Sequence, residues 1–452
     1  MKFNQVIEKQ VATWSREIES MDLESLARDR AGFQIRTQRK IALHHFVSGI
    51  LAVAAAGALS CERLAGAIAN KSRQRYSKQA FHERLGNPLI TFLLAVFCRC
   101  FLPSCRESST RGLLAPFHRV LIQDSSTLPL PDRLAKAFPG SSNQRKGFAM
   151  AKIQVVCDLL NSRVAQLSIS GFTRNDQAAS ADILDILQPG DLVIRDLGYF
   201  ALHVLQKISH AGAFFLSRFR HGVTLLDPTT LKPIPLLKHL RKHGSFDALV
   251  LLGQSERVPV RLVALPVPSS VANSRRRQLR KNRDKRLNPS KEHFALLDWN
   301  IFVTNVPCAL WPTRHIPVLY RLRWRIETLF KAWKSSLRLR ELSTQTPDML
   351  ELHLVTKLIF CAFAYRTCMH IELMDHQDRP ASILRVCRIL SSVAIYYEAA
   401  ILGLNIPQLL ALLIERHAFY ESRSDRSSFP SVLQSIFNAT QRKRLSPRLA
   451  LT

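Results

Sequence analysis

Four side chains in the stretch YRLRWRIETLFKAWK (320–334) are spaced to act together. An α-helix advances ~100° per residue, so positions 0, 3, 7 and 14 of a helix fall within roughly 60° of one another. Tyr320, Arg323, Glu327 and Lys334 occupy those positions and share one stripe. Lys331 lies on the same side, while Ile326, Leu329 and Trp333 point elsewhere and can anchor the helix. One carboxylate in a line of cationic and phenolic groups suits a surface that grips a phosphate backbone and sets an acidic metal ligand beside it. The same spacing also describes an ordinary ion-paired helix, with Glu327 bonded to Arg323 and Lys331 at i−4 and i+4. Spacing alone leaves both open.

Such a helix needs a platform. HRVLIQDSST (118–127) reads as a buried strand, 120–123, running into a polar turn at Asp124. KIQVVCDLL and RVAQLSIS, separated by Asn161 and Ser162, form a hairpin pattern. Residues 176–187 read as a helix stopped by Pro189 and Gly190. DLVIRDLGYF (191–200) is then a short strand, 192–195, that ends at Asp196, and a helix to about residue 209 and the strand AFFLSRFR follow. Three hairpin-linked strands followed by alternating helix and strand predict a mixed sheet flanked by helices. Other acids nearby read as structural or solvated: Asp132 in a Pro-bounded loop, Asp158 within a strand, and Asp191 at the wrong end of its strand.

Y-x2-R-x3-E-x6-K is the signature of bacterial DDE transposases of the insertion-sequence-four family, and Tyr320, Arg323, Glu327 and Lys334 match all four letters. The flanking RWRIE and KAWK also resemble that family, particularly its cut-and-paste members that excise through hairpin ends. The resemblance spans 118–345. It implies an α/β fold: a ribonuclease-H-like mixed sheet core with a β-rich insertion, flanked by helical N- and C-terminal regions. By the same resemblance Asp124 in QDSST is the first catalytic acid, Asp196 in DLGYF the second and Glu327 the third. Two divalent ions, Mg²⁺ or alternatively Mn²⁺, are implied, because in-line phosphodiester transfer uses a metal pair to activate one oxygen and neutralise another. Asp124 would bridge both ions, with Asp196 and Glu327 each completing one. Tyr320, Arg323 and Lys334 would hold the end phosphates, with Lys331 beside them. Trp299, in a W-x-x-x-x-T context with Thr304, matches the aromatic on which a flipped base stacks; a strand-core tryptophan is the alternative, and Trp311 is a weaker candidate. In D-S-S-T the family's usual Thr is displaced, or replaced by Ser126.

The implied activity is metal-dependent cleavage at transposon ends and strand transfer into a target. The rivals are a nuclease on the same core and a catalytically inactive DNA-binding protein. Double-stranded DNA, as inverted-repeat ends and target, is the expected partner, bound by a homodimer in a synaptic complex.

Composition agrees. The 452 residues carry 64 Lys and Arg against 34 Asp and Glu, a net charge of +30, which points to a polyanionic partner. With 47% apolar residues a core can form. The longest uncharged apolar run, 46–61, falls short of a membrane span and reads as a buried helix. No signal-peptide pattern opens the chain, and nine scattered Cys do not suggest a disulfide framework, so a bacterial cytoplasmic protein at the nucleoid is expected. Cys98, Cys100 and Cys105 lack the spaced His of a zinc site.

The expected organisation is a helical DNA-binding region (1–110), a catalytic core (111–221 and 308–345), a β-rich insertion with a basic loop (222–307), and a helical, basic-tailed C-terminal region for dimerisation (346–452). Within the first, 62–85 reads as two short helices around a basic turn, the second capped by Ser77; a DNA-docking helix-turn-helix and a plain helical hairpin both fit. In 275–286 eight of twelve residues are Lys or Arg, a phosphate-contacting or merely solvated loop.

Overall fold

The computed structural model describes residues 18–30, 41–55, 60–72, 76–99, 112–143, 146–160, 163–281, 289–324 and 347–359, with single positions between them that include Glu327, Lys331 and Lys334. Two compact units emerge: Met1–Leu93 with Ser335–Arg338 and Glu351–Thr452, and Leu94–Lys334 with Leu339–Leu350.

In the first unit, helices Leu43–Ala55, Cys61–Ser72 and Lys78–His82 pack through Phe46, Ile50, Ile68 and Phe81, all nearly inaccessible. Gly49 permits the close approach of the first two, since a Cβ there would lie 2.4 Å from Ile68 Cγ1. The apolar run expected as one buried helix over 46–61 is helical over 46–55, and Cys61 already begins the next helix; 56–59 lie outside the described residues. Ser77 caps the third helix, its side chain accepting from the Ala80 amide. Among the described residues no helix is long and apolar enough to cross a membrane.

The second unit is built on a ten-stranded mixed sheet. Its strands are β1 (Val120–Leu130), β2 (Pro139–Asn143), β3 (Lys146–Asp158), β4 (Arg163–Gly171), β5 (Leu192–Arg195), β6 (Phe214–Arg218), β7 (Leu225–Leu226), β8 (Phe246–Leu252), β9 (Val258–Pro266) and β10 (Trp299–Thr304). β3 pairs with β2 and β4 on one side and antiparallel with β1 on the other. β1, β5 and β6 then run parallel. The order β4-β3-β1-β5-β6, with only β3 reversed against β1, is a ribonuclease-H-like core. Side chains alternate across the sheet. Leu121, Val193 and Phe215 therefore meet Val204, Leu205 and Ile208 of helix Leu202–His210 on one face. The opposite face receives Phe117, Trp311 and the segment around Tyr320.

Three local expectations are corrected. Residues 176–187 do not form an α-helix; a 3-10 turn covers Ser180–Asp185 alone. The reason is side-chain competition: Asn175 Oδ1 accepts from the Ala178 amide at 2.9 Å, and Asp176 is bound to the sheet. The basic run is not a loop over its described part, because Ser269–Lys281 is helical, as its Arg, Gln, Leu and Lys content favours; 282–288 lie outside the described residues. The strands of the insertion do not stand apart either. β10 pairs antiparallel with β6, and β9, β8 and β7 continue the same sheet. Arg261 of β9 fastens this extension to the chain leading into the 316–334 segment: it donates to Trp311 O at 2.7 Å and pairs with Asp247 at 2.6 Å.

Candidate active site

β1 and β5 lie side by side with Gln123 opposite Arg195. β5 ends at Arg195, while β1 continues along β3. Asp124 and Asp196 therefore follow matched residues at the point where the parallel pairing stops. Gly190 sets the start of β5: its φ of +81° suits only glycine, and a Cβ there would meet the His118 ring at 2.8 Å.

The third acid arrives on the 316–334 segment. Helix Ile316–Tyr320 passes through a 3-10 turn, Arg321–Arg323, into a helix containing Glu327. Leu319, Leu322, Ile326 and Phe330 are buried and anchor this segment. Ile326 does so as its position on the helix predicts; Leu329 and Trp333 lie outside the described residues, and Phe330 was not foreseen.

Arg323 joins the three acids. Its Nη1 donates to Asp124 Oδ2 at 3.1 Å, its Nη2 pairs with Glu327 Oε1 at 2.5 Å, and its Nε lies 3.6 Å from Asp196 Oδ1, within ion-pair range but without a hydrogen bond. Tyr320 donates its hydroxyl to Asp196 Oδ1 at 3.3 Å. Thus Asp124, Asp196, Glu327, Tyr320 and Arg323 form one cluster.

Burial lifts the Asp124 carboxyl to about 7; the Ser125 amide at 2.8 Å and Arg323 oppose the rise, and the like charges of Asp196 and Glu327 add to it. Burial also pushes the Tyr320 phenol far above its ordinary value, so it stays a donor. Arg323 is disfavoured by its burial, yet the surrounding acids outweigh that and raise it.

An all-carboxylate donor set is the chemistry that hard divalent cations prefer. Among the described residues, however, no three acidic, His or Cys side chains stand close enough to share one ion. The guanidinium itself spaces them, so an ion and Arg323 compete for the same oxygens.

Arg218, which sequence reasoning missed, completes the cationic edge. It ends β6, and its guanidinium lies 5.4 Å from the Tyr320 ring centroid and 5.7 Å from that of Phe302. Arg323 sits 5.7 Å from the same Tyr320 ring. The only sequence signal was a basic residue closing a strand next in order to the one ending in Asp196. Lys331 is exposed and Lys334 half-buried.

The tryptophans separate. Trp311 is fully buried, with its indole N–H donating to Leu113 O at 2.8 Å and its ring against Phe117; it is a core residue and not a base-stacking one. Trp299 opens β10, two strands from β5, half-buried, its indole N–H bonded to Gly244 O at 2.7 Å. Thr304 is buried, and its hydroxyl donates to Phe215 O at 2.5 Å. Asp191 is fully buried and gripped by Arg119 at 2.5 Å, and Asp132 is exposed in the 3-10 turn beyond the far end of β1, so neither belongs to the cluster of three acids. Asp158 is buried and caps the Leu160 amide.

Residues 115–363, more than half of the chain, match the family model described as "Transposase DDE domain". The transposase for insertion sequence element IS231C of Bacillus thuringiensis subsp. berliner is 27% identical over 348 residues, 72% of this chain and 73% of that relative. That for IS231B of the same organism is 26% identical over 363 residues, 75% of each. The transposase for IS1151 of Clostridium perfringens is 25% identical over 305 residues, 62% of this chain and 64% of the relative. A cryo-EM structure of the piggyBac transposase synaptic complex with hairpin DNA aligns over 94% of this chain and 87% of that one, at 11% identity and a TM-score of 0.37, too distant to inform the fold. With more than half of its length matched by that domain, the chain belongs to the DDE transposase family, whose members cleave nucleic acid and transfer its strands.

Proposed function

We propose that this chain excises an insertion sequence from DNA by cut-and-paste and joins it to a target, with two Mg²⁺ ions, replaceable by Mn²⁺, held by Asp124, Asp196 and Glu327. The observation that carries this reading is the convergence of the three carboxylates on the Arg323 guanidinium. When bound, the ion pair supplies activation of an attacking oxygen and neutralisation of a leaving one. Asp124, Asp196 and Glu327 would hold the ions through their carboxylate oxygens.

Arg323 turns from the acids to an end phosphate, where Tyr320, Lys334, Lys331 and Arg218 hold the same strand. Helix Ser269–Lys281 takes the flanking backbone on its exposed Arg277 and Arg280. The half-exposed ring of Trp299, fixed by its bond to Gly244, supports an unpaired base.

Water first cuts one strand and leaves a 3′-hydroxyl. That hydroxyl attacks the opposite phosphodiester, closes a hairpin and releases the flanking DNA. A second water opens the hairpin, and the restored 3′-hydroxyl attacks the target, displacing a 3′-oxygen. Residues 1–110 recognise the ends, and 346–452 pair two chains into a homodimeric synaptic complex.

Glu327→Ala tests this reading. It abolishes Mg²⁺-dependent nicking of an inverted-repeat duplex while leaving duplex binding within about twofold of the unaltered chain, as expected for a residue that holds metal rather than DNA. Undiminished nicking by this variant refutes the assignment. Joining of a labelled end to a plasmid separates a transposase from a nuclease that only cuts.

A further inference from the structure

The residues beside Asp124 and Asp196 are held from behind by one short segment. On the face of the sheet opposite the acids, Gln123 donates to Ala179 O at 3.1 Å and Ser125 Oγ donates to Asp176 Oδ1 at 2.6 Å. Arg195 donates from Nη2 to Ser180 O at 2.6 Å and to Ser180 Oγ at 2.7 Å, and Ser180 Oγ donates to Tyr199 O at 2.8 Å. Asp176 also packs on the turn after Asp196: a Cβ built on Gly198 would stand 3.1 Å from Asp176 Oδ2. Lys152, at 2.8 Å from Asp176 Oδ1, balances the charge, and Gln154 reaches the same oxygen at 3.3 Å while accepting the Tyr199 hydroxyl.

This arrangement answers a mechanical problem. Asp124 lies within a long strand paired to β3, but Asp196 comes after the last paired residue of β5. No ladder fixes the second acid relative to the first. A metal pair requires its ligands to be held within roughly 0.5 Å of the working geometry. Residues 176–180 supply the missing tie, since they bind the neighbours of both acids.

We propose that Asp176 is a positioning residue that sets the separation of Asp124 and Asp196, and so the affinity of the site for its divalent ions. The inference rests on the metal-dependent reading of that site given above. The Asp176 Oδ1 atom is held by Ser125, Gln154 and Lys152 together.

The test is Ca²⁺ titration calorimetry on the full chain, paired with the Mn²⁺ concentration for half-maximal nicking of an end duplex. Asp176→Ala weakens Ca²⁺ binding and raises the Mn²⁺ requirement by about tenfold or more, as loss of an outer support typically does. Saturating Mn²⁺ then restores the nicking rate to within about threefold, since the acids themselves are intact. Asp176→Asn, which keeps an oxygen for Ser125 in the same outline, retains most of the affinity. Gly198→Ala pushes the Asp176 carboxylate away without removing a polar group, reproduces the metal defect, and serves if the alanine variant does not fold.

A merely structural role lowers melting temperature but leaves the metal requirement of folded protein unchanged. That result, in Asp176→Ala or Gly198→Ala, overturns the inference alone. If the unaltered chain binds no Ca²⁺ and nicks equally in chelator, the functional reading fails, and this inference with it.

Discussion

Replacing Arg323 with glutamine exposes the competition between a guanidinium and metal ions most directly. Arg323 compensates Asp124, whose side chain is 13% exposed, and also Asp196 and Glu327 at 41% and 36%. The Glu327 pair is an i,i+4 pair near solvent, worth only about 0.3–0.5 kcal/mol. The Asp124 pair is the more buried one, and removing one partner of a buried pair costs about 3–5 kcal/mol. Asp124 escapes part of that cost by binding a proton, because its carboxyl already titrates at about 7. A net loss of about 2 kcal/mol is therefore expected, which lowers the melting temperature in chelator by about 4–8 °C for a domain of this size. Divalent ions must otherwise overcome the same interaction. Its removal therefore tightens Ca²⁺ binding by up to about 30-fold, at 1.4 kcal/mol per factor of ten. Differential scanning fluorimetry in chelator and calorimetric titration with Ca²⁺ read the two effects. Nicking falls in the same variant, because an end phosphate loses its bidentate partner. Unchanged or weaker Ca²⁺ binding would refute the reasoning, since it would mean that the guanidinium and the ions do not seek the same oxygens.

Three further outcomes are expected. Metal affinity rises about tenfold per pH unit toward pH 7 and levels off above it, because Asp124 is protonated below about 7 and ions need its carboxylate. The linkage has the opposite sign for the metal-free fold: a raised carboxyl pKa stabilises most below pH ~4, and that contribution is lost as pH climbs through about 7; calorimetry and melting curves between pH 5 and 8 separate the two. Arg218→Gln frees one face of the Tyr320 ring and removes a phosphate contact, so binding to an end duplex weakens and the slope of log affinity against log salt falls by about 1. Arg119→Ala leaves the fully buried Asp191 without its cation and costs about 3–5 kcal/mol, read as a large drop in urea midpoint, while Asp191→Asn with Arg119 intact costs less.

The three clustered acids were legible along the chain because local rules place them. VLIQ and LVIR are short apolar runs that form buried strands; LVIR stops before Asp196 as expected, but the turn expected at Asp124 is absent, because pairing with β3 carries β1 through Asp124 to Leu130. Glu327 shares a helix stripe with Arg323 through 3.6-residue periodicity, and their 2.5 Å ion pair follows from i,i+4 spacing. The Ser77 cap and the 146–171 hairpin were equally local, and they stand as read.

Other features depended on partners distant in sequence. Residues 176–187 carry a helical apolar pattern, yet Asp176 and Ser180 are drawn onto the sheet by Ser125, Lys152 and Arg195, and the segment tightens into a 3-10 turn. Trp299 matched the motif and Trp311 was the weaker candidate; the packing of Trp311 against Phe117 and its bond to Leu113 made it core. Arg218 carried no motif because its contact lies across strands, over a ring about one hundred positions away. The sequence by itself determined which residues can ligate and which elements carry them, since periodicity and strand ends act over a few residues. Tertiary structure alone decided that Arg323 reaches all three carboxylates and that residues 176–180 bond to Gln123, Ser125 and Arg195 beside two of them, because parallel pairing of β1 with β5 joins stretches that no local propensity relates.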